Sequence, residues 1–171
     1  MKTAGLPLVG SLMVLLGSTL GWAGQYDAKE RAELIHALKG VKVSLKQGLI
    51  ASASKGKPIS GKFEVEDGKL QLSVYTAKGG AFSEVLVDPK TGRVAKVEKI
   101  ESGEDLTAAK AQADAMAKAK TALGAAVDAA VKKNPGARPI SVTPALKDSH
   151  PVADVTLIKG DELTTASESL D

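Results

Sequence analysis

Two histidines and no cysteine limit what this 171-residue chain can do chemically. Thiol nucleophiles and thiolate metal ligands are absent, so cysteine catalysis and zinc-thiolate sites are excluded. No His-Glu-x-x-His helix, Gly-rich phosphate loop or Gly-x-Ser-x-Gly elbow occurs. His36 follows Glu33 by one helical turn and reads as a helix-surface residue. His150 sits in Asp148-Ser149-His150-Pro151-Val152-Ala153-Asp154, where Asp148, His150 and Asp154 form a weak candidate set for a divalent cation. The same residues are also ordinary turn chemistry. Glu64, Glu66 and Asp67 gather three acids, but Glu64 and Glu66 are two apart on a strand and share its outward, solvated face. No catalytic residue and no cofactor site is assigned, and the reading is of a protein that binds and is not an enzyme.

The stretch that would hold such groups is a meander with legible turns. Asp67-Gly68 lies between alternating runs, with Gly able to take the positive φ of a tight hairpin. In Asp88-Pro89-Lys90-Thr91-Gly92 the proline presets φ, the aspartate bonds nearby amides, and Gly92 closes the turn. Leu70, Leu72 and Val74 share one strand face and Gln71, Ser73 and Tyr75 the other. Helical spacing predicts a helix from Asp27 to Lys39, with Asp27 and Glu30 as a capping pair and Gly40 as its stop. Ser44 is placed to cap a second short helix carrying Leu45, Leu49 and Ala53. An Ala-rich run predicts one long helix from Glu104 to Lys133, ended by Asn134-Pro135-Gly136. The expected class is α+β, with antiparallel meander sheets packed by short helices on one face.

Part of the chain reads as a second copy of another part. Lys57-Pro58-Ile59-Ser60 recurs as Arg138-Pro139-Ile140-Ser141, an offset of 81, and upstream an offset of 78 pairs Leu45 with Leu123 and Gly48 with Ala126. The second copy is expected to be degenerate, its strands interrupted by Pro144 and Pro151, with no Asp-x-x-Thr-Gly hairpin after them. Three segments follow: a leader over 1–23, a first module over 24–102, and the long helix with the second module over 103–171. Ser102-Gly103 suggests two lobes joined by that helix.

Residues 1–23 carry Lys2, an apolar run from Leu6 to Leu20, and the small-x-small sequence Gly21-Trp22-Ala23, which read together as a signal peptide cut after Ala23. The run is short for a membrane span, so no stable membrane insertion is expected, and without cysteine there is no lipid-anchor site. Cleavage would take Lys2 and lower the net charge from +3 to +2. With aromatic residues at 3% and no basic stripe, nucleic acid is not an expected partner.

Ser44-Leu45, Phe63, Val65, Asp67-Gly68, Val74-Tyr75 and Val87-Asp88-Pro89-Lys90-Thr91-Gly92 occur in an order that resembles a PepSY domain. That resemblance implies a cystatin-like arrangement, a bacterial and therefore periplasmic protein, and a role in restraining peptidases or modulating another envelope protein. The alternative is a metal- or ligand-responsive accessory of a transport or sensory system, resting on Asp148, His150 and Asp154. For a polypeptide partner the expected contact is the strand Phe82 to Asp88, apolar on both faces, with Phe82 and Leu86 on one and Val85 and Val87 on the other.

Overall fold

Asp27 and Ser44 start the first two helices as their spacing predicts. Asp27 Oδ1 accepts from the Lys29 and Glu30 amides at 2.8 Å each, and Glu30 returns to the Asp27 amide at 3.0 Å, opening α1 (Ala28–Leu38). Ser44 and Gln47 make the same reciprocal box at the head of α2 (Leu45–Ser52). The computed structural model describes residues 26–171, so the expected leader over 1–23 lies outside the described residues.

Seven strands follow in two groups: β1 (Lys57–Glu66), β2 (Lys69–Lys78), β3 (Ala81–Val87) and β4 (Val94–Ile100), then α3 (Gly103–Lys118), α4 (Leu123–Lys133), β5 (Arg138–Lys147), β6 (His150–Lys159) and β7 (Glu162–Ser169). The class is α+β. Asp67 (φ +50°) and Gly68 (φ +71°) turn β1 into β2. Between β3 and β4, Asp88 Oδ1 accepts from the Lys90 and Thr91 amides at 2.7 and 2.9 Å, with Gly92 at φ +70°. Pro89 occupies the position after Asp88 in that turn.

All seven strands form one antiparallel sheet in the order β4-β3-β2-β1-β5-β6-β7, so the expected two lobes are replaced by a single sheet. The halves join where Gly61 pairs with Val142 and Lys62 with Ser141. Under the offset of 81, Val142 is the counterpart of Gly61 and Ser141 that of Ser60, so a local pseudo-twofold axis passes between β1 and β5. The hairpin registers repeat about it. Gly61 opposite Val74 becomes Val142 opposite Val155, and Val74 opposite Val85 becomes Val155 opposite Ala166. A register shift recurs too, between Pro58 and Ser60 and again between Pro139 and Ser141.

Three further expectations change. Pro144 and Pro151 do not interrupt their strands; Pro144 lies past the two-residue ladder that joins β5 to β1, where no amide is required. The second module is a complete three-stranded meander, with no counterpart of β4 among the described residues. The long helix is broken between Lys118 and Leu123, because the Lys120 and Thr121 amides donate instead to the Leu170 carbonyl at 2.7 and 3.0 Å.

The helices also divide between two faces. Gly61, Leu72 and Val74 face α2, where a Cβ on Gly61 would lie 3.1 Å from Leu49 and one on Gly48 2.3 Å from Leu72. Their strand neighbours Lys62, Ser73 and Tyr75 point the opposite way, and there the Tyr75 hydroxyl meets Asp105 of α3. The core proper lies on the α2 and α4 side, with Leu45, Phe63, Leu72, Val74, Val85, Val142, Val155 and Leu157 all fully buried. Burying each such side chain contributes about 1.5–3 kcal/mol before chain entropy is counted.

Candidate functional site

The sheet face that turns away from α2 is polar. Lys62 pairs with Glu64 at 2.6 Å, Ser73 donates a hydrogen bond to Glu84, and Tyr75 donates to Asp105 at 2.8 Å. Over these lies Gln112 of α3, buried, with its Oε1 lacking a hydrogen-bond partner, beside Thr143 of β5. Lys62, Ser73, Tyr75, Gln112 and Thr143, with Ser60 and Gly61, line a small open recess there. Burial holds the Glu84 carboxyl above its ordinary value, opposed by the Ser73 hydrogen bond and aided by the nearby Glu64 charge. Burial, then the bond to Asp105 and the charge of Glu84, push the Tyr75 hydroxyl far above the usual tyrosine range. Tyr26 is pushed up to about 12, chiefly by burial and secondarily by Glu64 and Glu30.

These groups satisfy one another more than they address a ligand. Ser73 is only 2% exposed, so its hydroxyl reaches Glu84 and no substrate. The Tyr75 hydroxyl keeps its proton and spends it on Asp105. The Tyr75–Asp105 hydrogen bond ties α3 to this face, and the ladder edges of the sheet lie elsewhere.

The candidate cation ligands do not converge. Asp148 (φ +50°) and Ser149 (φ +68°) form the β5–β6 turn, and His150 faces Asp171 at 3.2 Å. Asp154 stands four residues along β6 from His150, about 13 Å at strand rise. Its Oδ1 is taken by Lys147 at 2.8 Å and by Ser167. Among the described residues no group of three His, Cys, Asp or Glu side chains could hold a metal ion. His36 is exposed on α1, as its spacing predicts.

The expected partner strand is also corrected. Val85 and Val87 are 0% and 1% exposed against the α2 side of the core. Phe82 and Leu86 lie on the other face, half-buried. On its flank β3 is already paired, with Val85 opposite Val97 of β4. Among the described residues the open ladder edges are therefore β4 at one end of the sheet and β7 at the other. No sequence reading singled out β7, although the offset of 81 applied to Phe82–Val87 lands on Leu163–Glu168 and would have found it.

Two residues that the repeat marks, but to which the sequence assigns no role, tie the halves together. Lys57 Nζ donates to the Met116 carbonyl at 3.1 Å near the end of α3, and Arg138 donates to the Leu38 carbonyl at 3.1 Å at the end of α1. Arg138 also reaches the Val43 carbonyl at 3.2 Å and lies 5.4 Å from the Phe63 ring centre. Each half thus supplies a cation to a helix C-terminus of the other, where the carbonyl dipoles favour positive charge.

The fold and its sheet edges define a duplicated α+β module, and comparison with known proteins adds little. No protein-family model matches the chain, and no curated protein does. Among solved structures it is similar to a candidate lipoprotein from Clostridium difficile 630, at 13% identity over 70% of this chain and 79% of that one, with a TM-score of 0.38. Among the described residues no helix is long and apolar enough to cross a membrane.

Proposed function

We propose that this protein is an exported binding module that engages an extended polypeptide of the bacterial cell envelope through a sheet edge, without covalent chemistry of its own. The observation that supports the reading is the sheet itself, which among the described residues has seven strands ending in two unpaired ladders, each offering a row of backbone donors and acceptors. Strand addition needs such a row and needs no catalytic group. The resemblance to PepSY domains suggests a peptidase or another periplasmic protein as the partner. Export rests on Lys2, the apolar run and Gly21-Trp22-Ala23.

Selection of a random-peptide display library on the immobilised protein tests the binding. The reading expects recovered sequences to share strand-type alternation and to compete with one another; recovery of none, or of sequences without period-two patterning, would overturn it. Export is checked separately by the intact mass of the native protein, which should begin at Gly24.

A further inference from the structure

Resting on that reading, we propose that the site of strand addition is the free edge of β7, and that its occupant is an extended, lysine-bearing segment of a second polypeptide, antiparallel to β7. The internal symmetry of the sheet carries the argument. Both halves repeat with the same hairpin registers, and β7 is the counterpart of β3. In the first half β3 is covered by β4, with Leu86 opposite Lys96, Val85 opposite Val97 and Ser83 opposite Lys99. In the second half, no strand lies in the equivalent position among the described residues. The described residues thus present an open slot beside β7 and, at its twin beside β3, a strand that fills the equivalent place.

The chemistry of the two edges differs in the way the proposal needs. The outer strand β4 carries Lys96, Glu98 and Lys99, charges that discourage further pairing. The centre of β7, Thr164-Thr165-Ala166-Ser167, has no charge and two β-branched residues, which favours pairing. Around that centre the residues 161–171 hold four acids and no base. Glu168 is held by Lys133 and Asp171 faces His150; Glu162 stands opposite Lys159, whose Nζ donates to the Pro135 carbonyl instead, so that Asp161 and Glu162 are the acids placed to attract a basic strand. The segment Arg93 to Ile100, with three basic residues and one acid, is the matching pattern.

The register of the incoming strand follows from the offset. A residue in the place of Val97 stands opposite Ala166, one in the place of Lys96 opposite Ser167, and one in the place of Lys99 opposite Thr164. A one-residue slip would turn every side chain to the wrong face.

The test uses the full chain and a synthetic peptide of residues 93–100 as probe. Labelled peptide should bind saturably, one per chain, and a peptide with the same composition in scrambled order should not. Thr164→Lys, at an exposed position, should weaken binding about two- to fivefold through like charge. Because the chain has no cysteine, register can be read directly. Thr164→Cys should crosslink a peptide with Cys at position 99 and not one with Cys at 98, and Ser167→Cys should crosslink position 96. Absence of binding, or crosslinking without register preference, would overturn the proposal, as would sedimentation showing the peptide-free protein already assembled through β7 into dimers or chains. If display selection succeeds while the β7 variants leave the recovered peptides bound, this inference fails and the broader reading stands.

Discussion

Gly61 stands directly opposite Val142 at the centre of the sheet, and each occupies the other's place in the duplication. An axis through this pair relates the hairpins, the register shifts and the cations that cap the helix ends. The pair is also where the halves differ, since Gly61 leaves room for Leu49 and Leu45 of α2 while Val142 fills its own space.

Arg138 is expected to matter more than its counterpart Lys57. Arg138→Ala removes hydrogen bonds to two carbonyls and the stacking on Phe63, for a loss of about 2 kcal/mol. Lys57→Ala should cost about 1 kcal/mol. Arg138→Lys should recover only part of the loss, because an ammonium cannot span two carbonyls and stack as the planar group does. Urea unfolding of the three variants decides; equal losses would contradict the ranking, and no loss at either position would mean the cross-caps do not hold the halves together.

Gly48 packs so closely on Leu72 that an added Cβ would lie 2.3 Å from it, and their counterparts are Ala126 and Ala153. Gly48→Ala should therefore destabilise by about 1–2 kcal/mol, overpacking outweighing the gain in helix propensity. Leu72→Ala alone should cost about 2–5 kcal/mol by leaving a cavity. The double variant reproduces the pairing of the second half, and a double-mutant cycle should give it a smaller cost than the sum. Simple additivity would show that the two positions do not share the contact.

Glu84 predicts a pH dependence. Its carboxyl is raised above 4.5 in the folded protein by burial, so the folded state holds that proton more tightly than the unfolded chain. Its contribution is fully present below the unfolded value and is lost as pH rises through the raised folded value. Glu84→Gln removes this loss, so the urea midpoint of the variant should gain on the wild type as pH climbs from about 4.5 toward neutrality. A constant difference across that window would place the coupling elsewhere.

The turns give opposite outcomes at two positions. Gly92→Val places a β-branched residue at φ +70° and should cost about 1–3 kcal/mol, whereas Lys90→Ala should be nearly neutral. Ser149 sits at φ +68° where its counterpart is Gly68. Ser149→Gly should stabilise by up to about 1 kcal/mol, relieving the left-handed conformation of a residue with a Cβ. Thermal unfolding of the three variants checks both signs.

Local chemistry was legible in the sequence wherever a few neighbouring residues decide the outcome. Asp27 with Glu30, Ser44, Asp67-Gly68 and Asp88 to Gly92 all act as their types and spacing predict, because caps and turns are settled within four residues. The single sheet was not legible, since it depends on a two-residue ladder at Gly61 and Lys62 between strands 81 apart. Nor was the break before Leu123, where no Gly or Pro signals a stop and the competing acceptor is the distant Leu170 carbonyl. At the candidate site, periodicity reports that the strand of Val85 and Val87 has two apolar faces, which fits burial on both sides or one side open to a partner, without saying which neighbours cover them. Asp148, His150 and Asp154 looked close in sequence, but strand geometry spreads neighbours apart.

Amide hydrogen exchange of the full chain, with and without a bound peptide recovered by display, tests most directly whether this protein works by strand addition. The account predicts slowed exchange in an edge strand on peptide binding, with Glu162–Ser169 the expected one, and little change in α3 over the polar recess. Protection confined to α3 and its recess, with both edge strands exchanging as before, would contradict it.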